Sequence, residues 1–218
     1  MPVYRRPIRT FKAIGSIISQ TVTDWEGFVL GDGCPDYPRY IKLITDNRIL
    51  TFNTPINYGG CGYHQTNYAI QCADGKYFVF LGNDDYLLPN HFENYLSEIE
   101  GTDLDFVWFP WAMNQGRPYR FRLRSWHIGH AGLIIRTDFL KRMPPHEKAY
   151  NHDWSLVKNM IDAGAKYKKG NDRITYCMDP YGWRGTGKDG DHLTRGMDTH
   201  SPYTKLKKWI KSNIIPKI

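Results

Sequence analysis

The sequence predicts an α/β fold in which helices cover a largely parallel sheet. Apolar strand-like runs alternate with helical segments through the first half of the chain. This alternation is typical of sheets whose strands are joined by helices. The run 76–83 (KYFVFLGN) is almost continuously apolar, as expected of a strand buried on both faces. The length of 218 residues suits a single domain, with or without a short tail.

Four segments are predicted to be helical, and most of them carry a proline or a glycine near an end. Apolar side chains recur at helical spacing through 7–20, with a proline in the first turn. The other three helices are expected at 62–75, 89–101 and 151–164. Gly75 is predicted to end the second helix as its C-terminal cap.

Strands are predicted where apolar or alternating residues lie between turn signals. The predicted strands are 25–33, 48–55, 76–83, 104–113, 119–126, 131–135 and 173–178. In 119–126 the strict alternation would place Arg120, Arg122 and Arg124 on one face, close to Arg117, as a row of guanidinium groups suited to phosphate. A solvated strand face explains the same pattern.

The composition limits which binding partners and which cellular compartment are expected. The apolar fraction of 41% is that of a globular protein, and the net charge of +7 favours an anionic partner such as nucleic acid, anionic lipid or a phosphorylated substrate. The four cysteines show no CxxC spacing and are expected to be free thiols in a reducing compartment. We find neither a spanning apolar run nor a signal peptide and expect a cytoplasmic protein, with peripheral attachment to the inner membrane surface left open.

Three polar clusters fall where predicted strands end. They are Pro2–Tyr4, Asp32 and Asn83–Asp85. Ligands of open α/β sheets bind at the carboxyl ends of the strands, so we expect these clusters to border one site. Adjacent aspartates by themselves are more typical of a turn or a helix cap.

Together these blocks resemble the family 2 glycosyltransferases, nucleotide-sugar enzymes with the Rossmann-like GT-A fold. The resemblance covers about residues 2–165. It is carried by PVYRRP (2–7), AIGSIISQTVTDWEGFVLGDG (13–33), NYGGCGYHQTNYAIQCADGKYFVFLGNDDYLLP (57–89) and NHDWSLVKNMIDAG (151–164). It implies a domain over 1–200, with a nucleotide-binding half (1–100) and an acceptor half (101–200), followed by a basic helix or tail at 201–218.

The resemblance also implies roles for individual residues on the donor side. Contacts to the donor, usually a UDP-sugar, are implied for Pro2, Val3, Tyr4, Asp32, Asn67 and Asp84. Among these, Asp32 would bond the base and Asp84 would lie near the ribose. Asp85 would ligate Mn2+ or Mg2+ on the diphosphate. Such hard cations prefer carboxylate and phosphate oxygens, and they stabilise a departing diphosphate as Lewis acids.

Asp153 stands where the family places its catalytic carboxylate. In an inverting transfer this base removes the proton of the acceptor hydroxyl. An aspartate in the first turn of a helix also stabilises that helix without any catalytic role. The sequence departs from the family at His152, usually acidic, and at Thr66, commonly arginine. It also begins at Met1, so that the family's first strand is almost absent.

Two further groups of residues are candidates for the site. The loop 183–195 is expected to close over the diphosphate through Arg184, Lys188, His192 and Arg195, with His192 as a third metal ligand. His127 and His130 could line the acceptor side, and His64 or Gln65 could replace the missing arginine. A solvated loop and structural histidines are the alternatives.

The acceptor stays open at this stage. The segment 203–218 is a basic amphipathic helix, which would suit an anionic membrane surface and a glycan or lipid-linked acceptor, or would pack on the domain. The arginine row and net charge would suit a nucleic acid acceptor, and a protein acceptor is not excluded. Two other functions compete: a non-catalytic module that binds a nucleotide sugar or nucleic acid, and a nucleotidyltransferase.

Overall fold

A computed structural model describes residues 1–113, 117–118, 122–125, 127–147 and 151–178. The strands are β1 (Pro2–Val3), β2 (Gly27–Gly31), β3 (Ile49–Asn53), β4 (Tyr77–Val79), β5 (Tyr86–Leu87), β6 (Phe106–Trp108), β7 (Ala112–Met113), β8 (Arg117–Pro118), β9 (Leu133–Arg136), β10 (Tyr167–Lys169) and β11 (Tyr176–Met178). The helices are α1 (Pro7–Ile18), α2 (Tyr37–Ile41), α3 (Tyr63–Cys72), α4 (His91–Ile99), α5 (Thr137–Leu140) and α6 (His152–Asp162). The predicted α/β class is confirmed.

The strands form three small sheets within the described residues. β1, β2 and β3 are parallel, and their order along the sheet is β1-β2-β3. The second sheet has the order β10-β6-β9-β4, in which β10 is parallel to β6 while β9 runs antiparallel to both of its neighbours. The third has the order β5-β11-β7-β8. The carboxyl ends of β1, β2 and β4 lead into the predicted polar clusters.

The two central strands of the second sheet, β6 and β9, are buried on both faces, which explains their apolar sequences. Val107 and Ile134 of neighbouring strands pack under α4 with Tyr95, whose ring stacks on Phe109 at 3.9 Å between centroids. On the opposite face, α5 and α6 cover the alternate residues of β6 and β9, among them Phe106. Side chains alternate across a strand, so a strand covered on both faces is apolar throughout.

The helix predictions hold, apart from one cap. Gly164 follows α6 with a φ of +81°, the left-handed conformation expected of a glycine cap. Gly101 also has a positive φ, +74°, but it follows an extended Glu100 and forms a turn beyond the end of α4. The cap predicted at Gly75 is wrong, because α3 ends at Cys72 and the next residue is already extended. The Glu26 carboxylate accepts hydrogen bonds of 2.6 Å from the amides of residues 74 and 75, and these bonds fix the turn instead.

Two strand predictions in the second half are wrong. The predicted strand 104–113 is interrupted after Trp108, and its two parts, β6 and β7, belong to different sheets. Pro110 lies in this interruption and has no amide hydrogen to give to a ladder. In the predicted strand 119–126, residues 122–125 form a bend and a turn, with the amide of Arg124 bonded to the carbonyl of Arg122 at 2.8 Å. The described part of that segment is therefore not the flat face of an arginine row.

His91 is a buried histidine at the start of α4. Its Nδ1 lies 3.0 Å from the Thr175 hydroxyl, and its ring packs on Tyr95 at 3.9 Å between centroids. Burial lowers the pKa of His91 from 6.5 to about 3. The imidazole is therefore neutral in the folded protein at neutral pH.

We predict that His91→Asn reduces the acid sensitivity of the fold. Because the folded pKa lies below the unfolded one, the unfolded chain binds more protons between about pH 3 and 6.5, and stability falls as the pH drops through this window. Asparagine can keep the bond to Thr175 but does not titrate. The wild type should lose about 2 kcal/mol more than the variant between pH 7 and pH 5.

Guanidinium unfolding curves at these two pH values measure the difference. His64→Asn, at an exposed histidine, is the control and should behave like the wild type. Equal acid sensitivity in the wild type and His91→Asn would contradict the assignment.

Candidate functional site

Asp84 and Asp85 lie in a turn that follows β4. The amide of Asp85 bonds to the carbonyl of Gly82 at 3.3 Å and closes the turn. A Cβ at Gly82 would lie 2.6 Å from Oδ2 of Asp85 and 3.1 Å from Oδ1 of Asp84. Both carboxylates therefore crowd the space above this glycine, and two oxygen ligands at one point fit a hard divalent cation such as Mg2+ or Mn2+.

Each of the two aspartates has its own partner. Asp85 is buried, and the Tyr176 hydroxyl of β11 donates a hydrogen bond to its Oδ2. Burial of the phenol, and then the charge of Asp85, raise the pKa of Tyr176 well above its ordinary value, so this hydroxyl keeps its proton. Asp84 is 19% exposed and forms an ion pair with the guanidinium of Arg6. The repulsion between the neighbouring carboxylates is thus offset on two sides.

Strained backbone surrounds this turn. Among the described residues, positive φ values outside glycine occur at Arg5, Arg6 and Cys61, at +56°, +55° and +56°. Non-glycine residues rarely adopt this conformation, which concentrates at functional sites because the surrounding structure must maintain it. At Arg6, the strained position directs the side chain to Asp84 from the residue before α1. Arg6 was not among the predicted site residues, although the sequence PVYRRP placed it beside them.

Asp32 follows β2 and is buried. Its carboxylate accepts hydrogen bonds from the amides of Tyr58 and Gly59 at 2.8 and 2.9 Å, from the Asn57 side chain at 3.1 Å and from the Gln65 side chain at 2.9 Å. Asp32 therefore anchors the loop between β3 and α3. A contact to a nucleotide base stays a prediction.

The residues predicted around the base lie beside this loop. Val3 is buried, whereas the Tyr4 side chain is 40% exposed, with the Arg5 guanidinium 5.3 Å from its ring centroid. Pro2 lies directly against Gly62, the N-terminal cap of α3, where any Cβ would collide with the proline ring. An exposed aromatic ring next to a fixed backbone edge offers a surface on which a flat base can stack.

Asp153 lies in the first turn of α6 between two histidines. Its Oδ1 is 2.8 Å from Nδ1 of His130 and 3.3 Å from Nε2 of His152. Burial by itself would raise the pKa of Asp153, but the charge and hydrogen bond of His130 and the charge of His152 outweigh it and hold the pKa below its ordinary value. With this lowered pKa the carboxylate is ionised at neutral pH. Its side chain is 34% exposed and is therefore reachable from solvent.

A third histidine, not among the predicted residues, completes this cluster. The ring of His146 lies 4.8 Å from that of His130 and 6.5 Å from that of His152. The Asn67 side chain holds it in place, accepting from the His146 amide at 2.8 Å and donating to the His146 carbonyl at 2.9 Å. Burial, then the charges of His130 and His152, lower the pKa of His146 to about 3. Asn67, predicted on the donor side, thus supports the histidine cluster here.

Phe80 links the two groups of carboxylates. Its ring, between β4 and the turn that carries Asp84 and Asp85, stacks on His130 at 4.7 Å between centroids, and His130 contacts Asp153. The turn after β4 and the first turn of α6 therefore lie on the same side of the sheet edge. In keeping with this, the charges of Asp153 and Asp84, after desolvation, raise the pKa of the Cys61 thiol.

Several predicted site residues lie outside the described residues, namely Arg184, Lys188, His192, Arg195 and Arg120. The segment 201–218 also lies outside them. His127, predicted on the acceptor side, has its Nε2 2.8 Å from the Arg124 guanidinium. His64 stacks on Tyr58 at 4.1 Å between centroids.

The sequence model described as Glycosyl transferase family 2 matches residues 1–178. The chain belongs to this family. It is 29% identical over 100 residues to the putative colanic acid biosynthesis glycosyl transferase WcaA of Escherichia coli K12, covering 44% of this chain and 35% of WcaA. It is 28% identical over 109 residues to the UDP-Glc:alpha-D-GlcNAc-diphosphoundecaprenol beta-1,3-glucosyltransferase WfgD of Escherichia coli, covering 50% of this chain and 42% of WfgD.

Solved structures agree with the fold of this family 2 member. Staphylococcus aureus TarS 1-349, in complex with UDP, matches with a TM-score of 0.69 at 18% identity, covering 84% of this chain and 60% of TarS 1-349. The Pyrobaculum calidifontis mannosyltransferase PcManGT, in complex with GDP-Man and Mn2+, matches with a TM-score of 0.62 at 14% identity, covering 81% of this chain and 54% of PcManGT. The expected GT-A architecture is confirmed.

The family 2 chain spans less than half the length of WcaA and WfgD. In the part of the chain that the structure describes, no helix has both the length and the apolar character needed to cross a bilayer.

We predict that Gly82→Ala destabilises the protein. The new methyl group would meet the Asp85 carboxylate, which cannot easily turn away because it is buried and bonded to Tyr176. Overpacking of this kind costs about 1–3 kcal/mol. The free energy of unfolding, measured in denaturant, should fall by that amount.

Gly129→Ala is the matched control, because a Cβ there meets no atom within 4 Å. Its effect should stay within about 0.5 kcal/mol. A Gly82→Ala protein as stable as this control would show that the carboxylates do not crowd the glycine.

Proposed function

We propose that the protein is a metal-dependent, inverting glycosyltransferase that moves a sugar from a nucleotide donor, UDP-linked in the first instance, to an acceptor hydroxyl. One observation carries this proposal: the Asp84 and Asp85 carboxylates converge above Gly82, and Phe80, just before this turn, stacks on His130, which contacts Asp153. The site thus has one group of carboxylates for a cation and diphosphate and another carboxylate for a proton. The family membership and the UDP and GDP-Man in the titles of the TarS and PcManGT structures support it.

On the donor side, Asp84 and Asp85 would hold Mn2+ or Mg2+, which when bound neutralises charge on the leaving diphosphate. Arg6 already lies against Asp84. A phosphate oxygen would offer this guanidinium an alternative anionic partner, so Arg6 would bind the diphosphate from the side of α1. Tyr4 would stack under the base, beside the loop that Asp32 anchors.

On the acceptor side, Asp153 would act as the general base. The acceptor oxygen forms its new bond to the anomeric carbon on the face opposite the nucleotide, the bond to the diphosphate breaks, and Asp153 takes the hydroxyl proton. His130 orients the carboxylate through its 2.8 Å contact, and the lowered pKa of Asp153 keeps it ionised before the reaction. The family's acidic neighbour is replaced here by His152, which also contacts Asp153.

For the acceptor we favour a lipid-linked glycan intermediate. The name of WfgD gives it a diphosphoundecaprenol-linked acceptor. A cavity is lined by Pro144, Pro145, His146 and His152, among others, and His152 contacts Asp153. Such an acceptor would bring the protein to a membrane surface. The bend at 122–125 leaves the described structure without the flat basic strand that favoured nucleic acid.

We expect Asp85→Asn to abolish the metal-dependent binding of UDP. Asparagine keeps an oxygen to accept the Tyr176 hydrogen bond but lacks the charge that a divalent cation needs. The thermal stabilisation that UDP gives to the wild type only with Mn2+ or Mg2+ should disappear. Asp103→Asn, at an exposed residue paired with Lys166, is the control and should keep the shift. If the wild type itself shows no such shift, the proposal is wrong at the donor site.

We expect Asp153→Asn to bind donor normally and to lose turnover. Loss of a general base lowers kcat by about 10²–10⁴-fold. Donor affinity is measured by calorimetry, and transfer is measured with a screen of nucleotide sugars on a diphosphoundecaprenol-linked acceptor. Asp162→Asn, at the exposed end of the same helix, should retain wild-type turnover. Donor binding without transfer in either protein would favour a non-catalytic binding module, and equal measurable rates would show that Asp153 is not the base.

A further inference from the structure

The cluster around Asp153 contains more nitrogen ligands than a general base requires. Nδ1 of His130, Nε2 of His152 and a carboxylate oxygen of Asp153 lie within 4.8 Å of one another. The three residues come from two separate parts of the chain, which the fold brings to the same point of the site. Two imidazole nitrogens and one carboxylate form the protein ligand set of many open zinc sites.

Two of the three distances between the ligand atoms are close to those of a tetrahedral site. Zinc ligands at about 2.0–2.1 Å from the metal are about 3.3 Å apart in a tetrahedron. The separation between His152 Nε2 and Asp153 Oδ1 is 3.3 Å, and that between His130 Nδ1 and the same oxygen is 2.8 Å. The two imidazoles lie within 4.8 Å of each other, so metal binding requires them to close toward the ion.

The surroundings hold these side chains in place and leave a route to them. The His130 ring stacks on Phe80 at 4.7 Å between centroids, with an angle of 22° between the planes. His146 packs edge-on against His130, is itself buried, and has an Nε2 without a hydrogen-bond partner among the described residues. The Asp153 side chain is 34% exposed, so an ion can enter from solvent.

We propose that His130, His152 and Asp153 form a binding site for a divalent transition metal such as Zn2+, separate from the hard-cation site at Asp84 and Asp85. Imidazole nitrogen favours Zn2+, Co2+ and Ni2+, whereas Mg2+ and Mn2+ prefer the all-oxygen site. The two sites therefore discriminate between metals by ligand chemistry.

Occupancy of this site has a consequence that rests on the proposed function. A metal bound to Asp153 takes the oxygen lone pair that would accept the proton of the acceptor hydroxyl. Transition metals would then inhibit a transfer reaction that Mg2+ supports. The active site would combine an activating and an inhibitory metal site.

The binding experiment uses the full chain without nucleotide and does not depend on activity. Co2+ is titrated into the protein in excess Mg2+, which occupies the oxygen site. The wild type should give the intense visible absorption of four- or five-coordinate Co2+, saturating at one equivalent and displaced by Zn2+. His130→Gln and His152→Gln should each weaken binding at least 10-fold, in the range found for disturbed metal sites.

Two control variants test whether a loss of Co2+ binding is specific to the histidine cluster. His64→Gln removes an exposed histidine that does not belong to the cluster, and Asp85→Asn removes the hard-cation site; both should bind Co2+ like the wild type. Circular dichroism verifies the fold of His130→Gln, and His152→Gln provides a second variant at a less buried residue. Wild-type affinity in both cluster variants, or an equal loss in His64→Gln, would overturn the site.

The inhibition experiment measures transfer in excess Mg2+ as Zn2+ is added. The wild-type rate should fall at the zinc concentration that displaces Co2+. His152→Gln should require at least 10-fold more zinc for half-inhibition of its own zinc-free rate. Full wild-type turnover at saturating zinc would overturn the inhibitory role. No turnover in zinc-free wild type would instead contradict the proposed function, and the Co2+ titration would still decide the metal site.

Discussion

The repulsion between neighbouring carboxylates is the constraint on which the rest of this site depends. Asp32, Asp84 and Asp85 follow strands and Asp153 lies in the first turn of a helix, and two of the four are buried. A buried charge without compensation costs several kcal/mol, so each aspartate must have partners of its own. The partners are chemically different: amide groups, a guanidinium, a phenol and imidazoles. Much of the local structure serves to hold these groups against the carboxylates.

The type of partner determines how readily each carboxylate can change its contacts. The groups around Asp32 are mainly backbone amides of a loop, which cannot leave without unfolding that loop. Arg6, by contrast, reaches Asp84 with a long side chain that can rotate toward another anion. The contacts of Asp32 are therefore fixed, whereas Arg6 could leave Asp84 for another anion. The strained backbone at Arg6 fixes the point from which this side chain reaches Asp84.

The sequence predicted those features that arise from local pattern. Buried strands, the glycine cap at Gly164 and the position of Asp153 at the start of α6 all follow from residues within a few positions. The interrupted strand after Trp108 and the histidine cluster do not, because they depend on contacts between distant segments. His146 reaches the site through a residue 79 positions away, and no periodicity encodes such a contact. The family resemblance identified the carboxylates but not their partners, because the resemblance rests on motifs and the partners come from tertiary packing.

Helix α3 connects the two halves of the site. Near its start, Gly62 packs on Pro2 and Gln65 donates to Asp32; two residues further on, Asn67 holds the backbone beside the histidine cluster. These contacts belong to less than two turns of one rigid helix. The loop that Asp32 anchors and the backbone beside the histidine cluster are therefore positioned by one and the same rigid element, so a displacement of α3 would move both together.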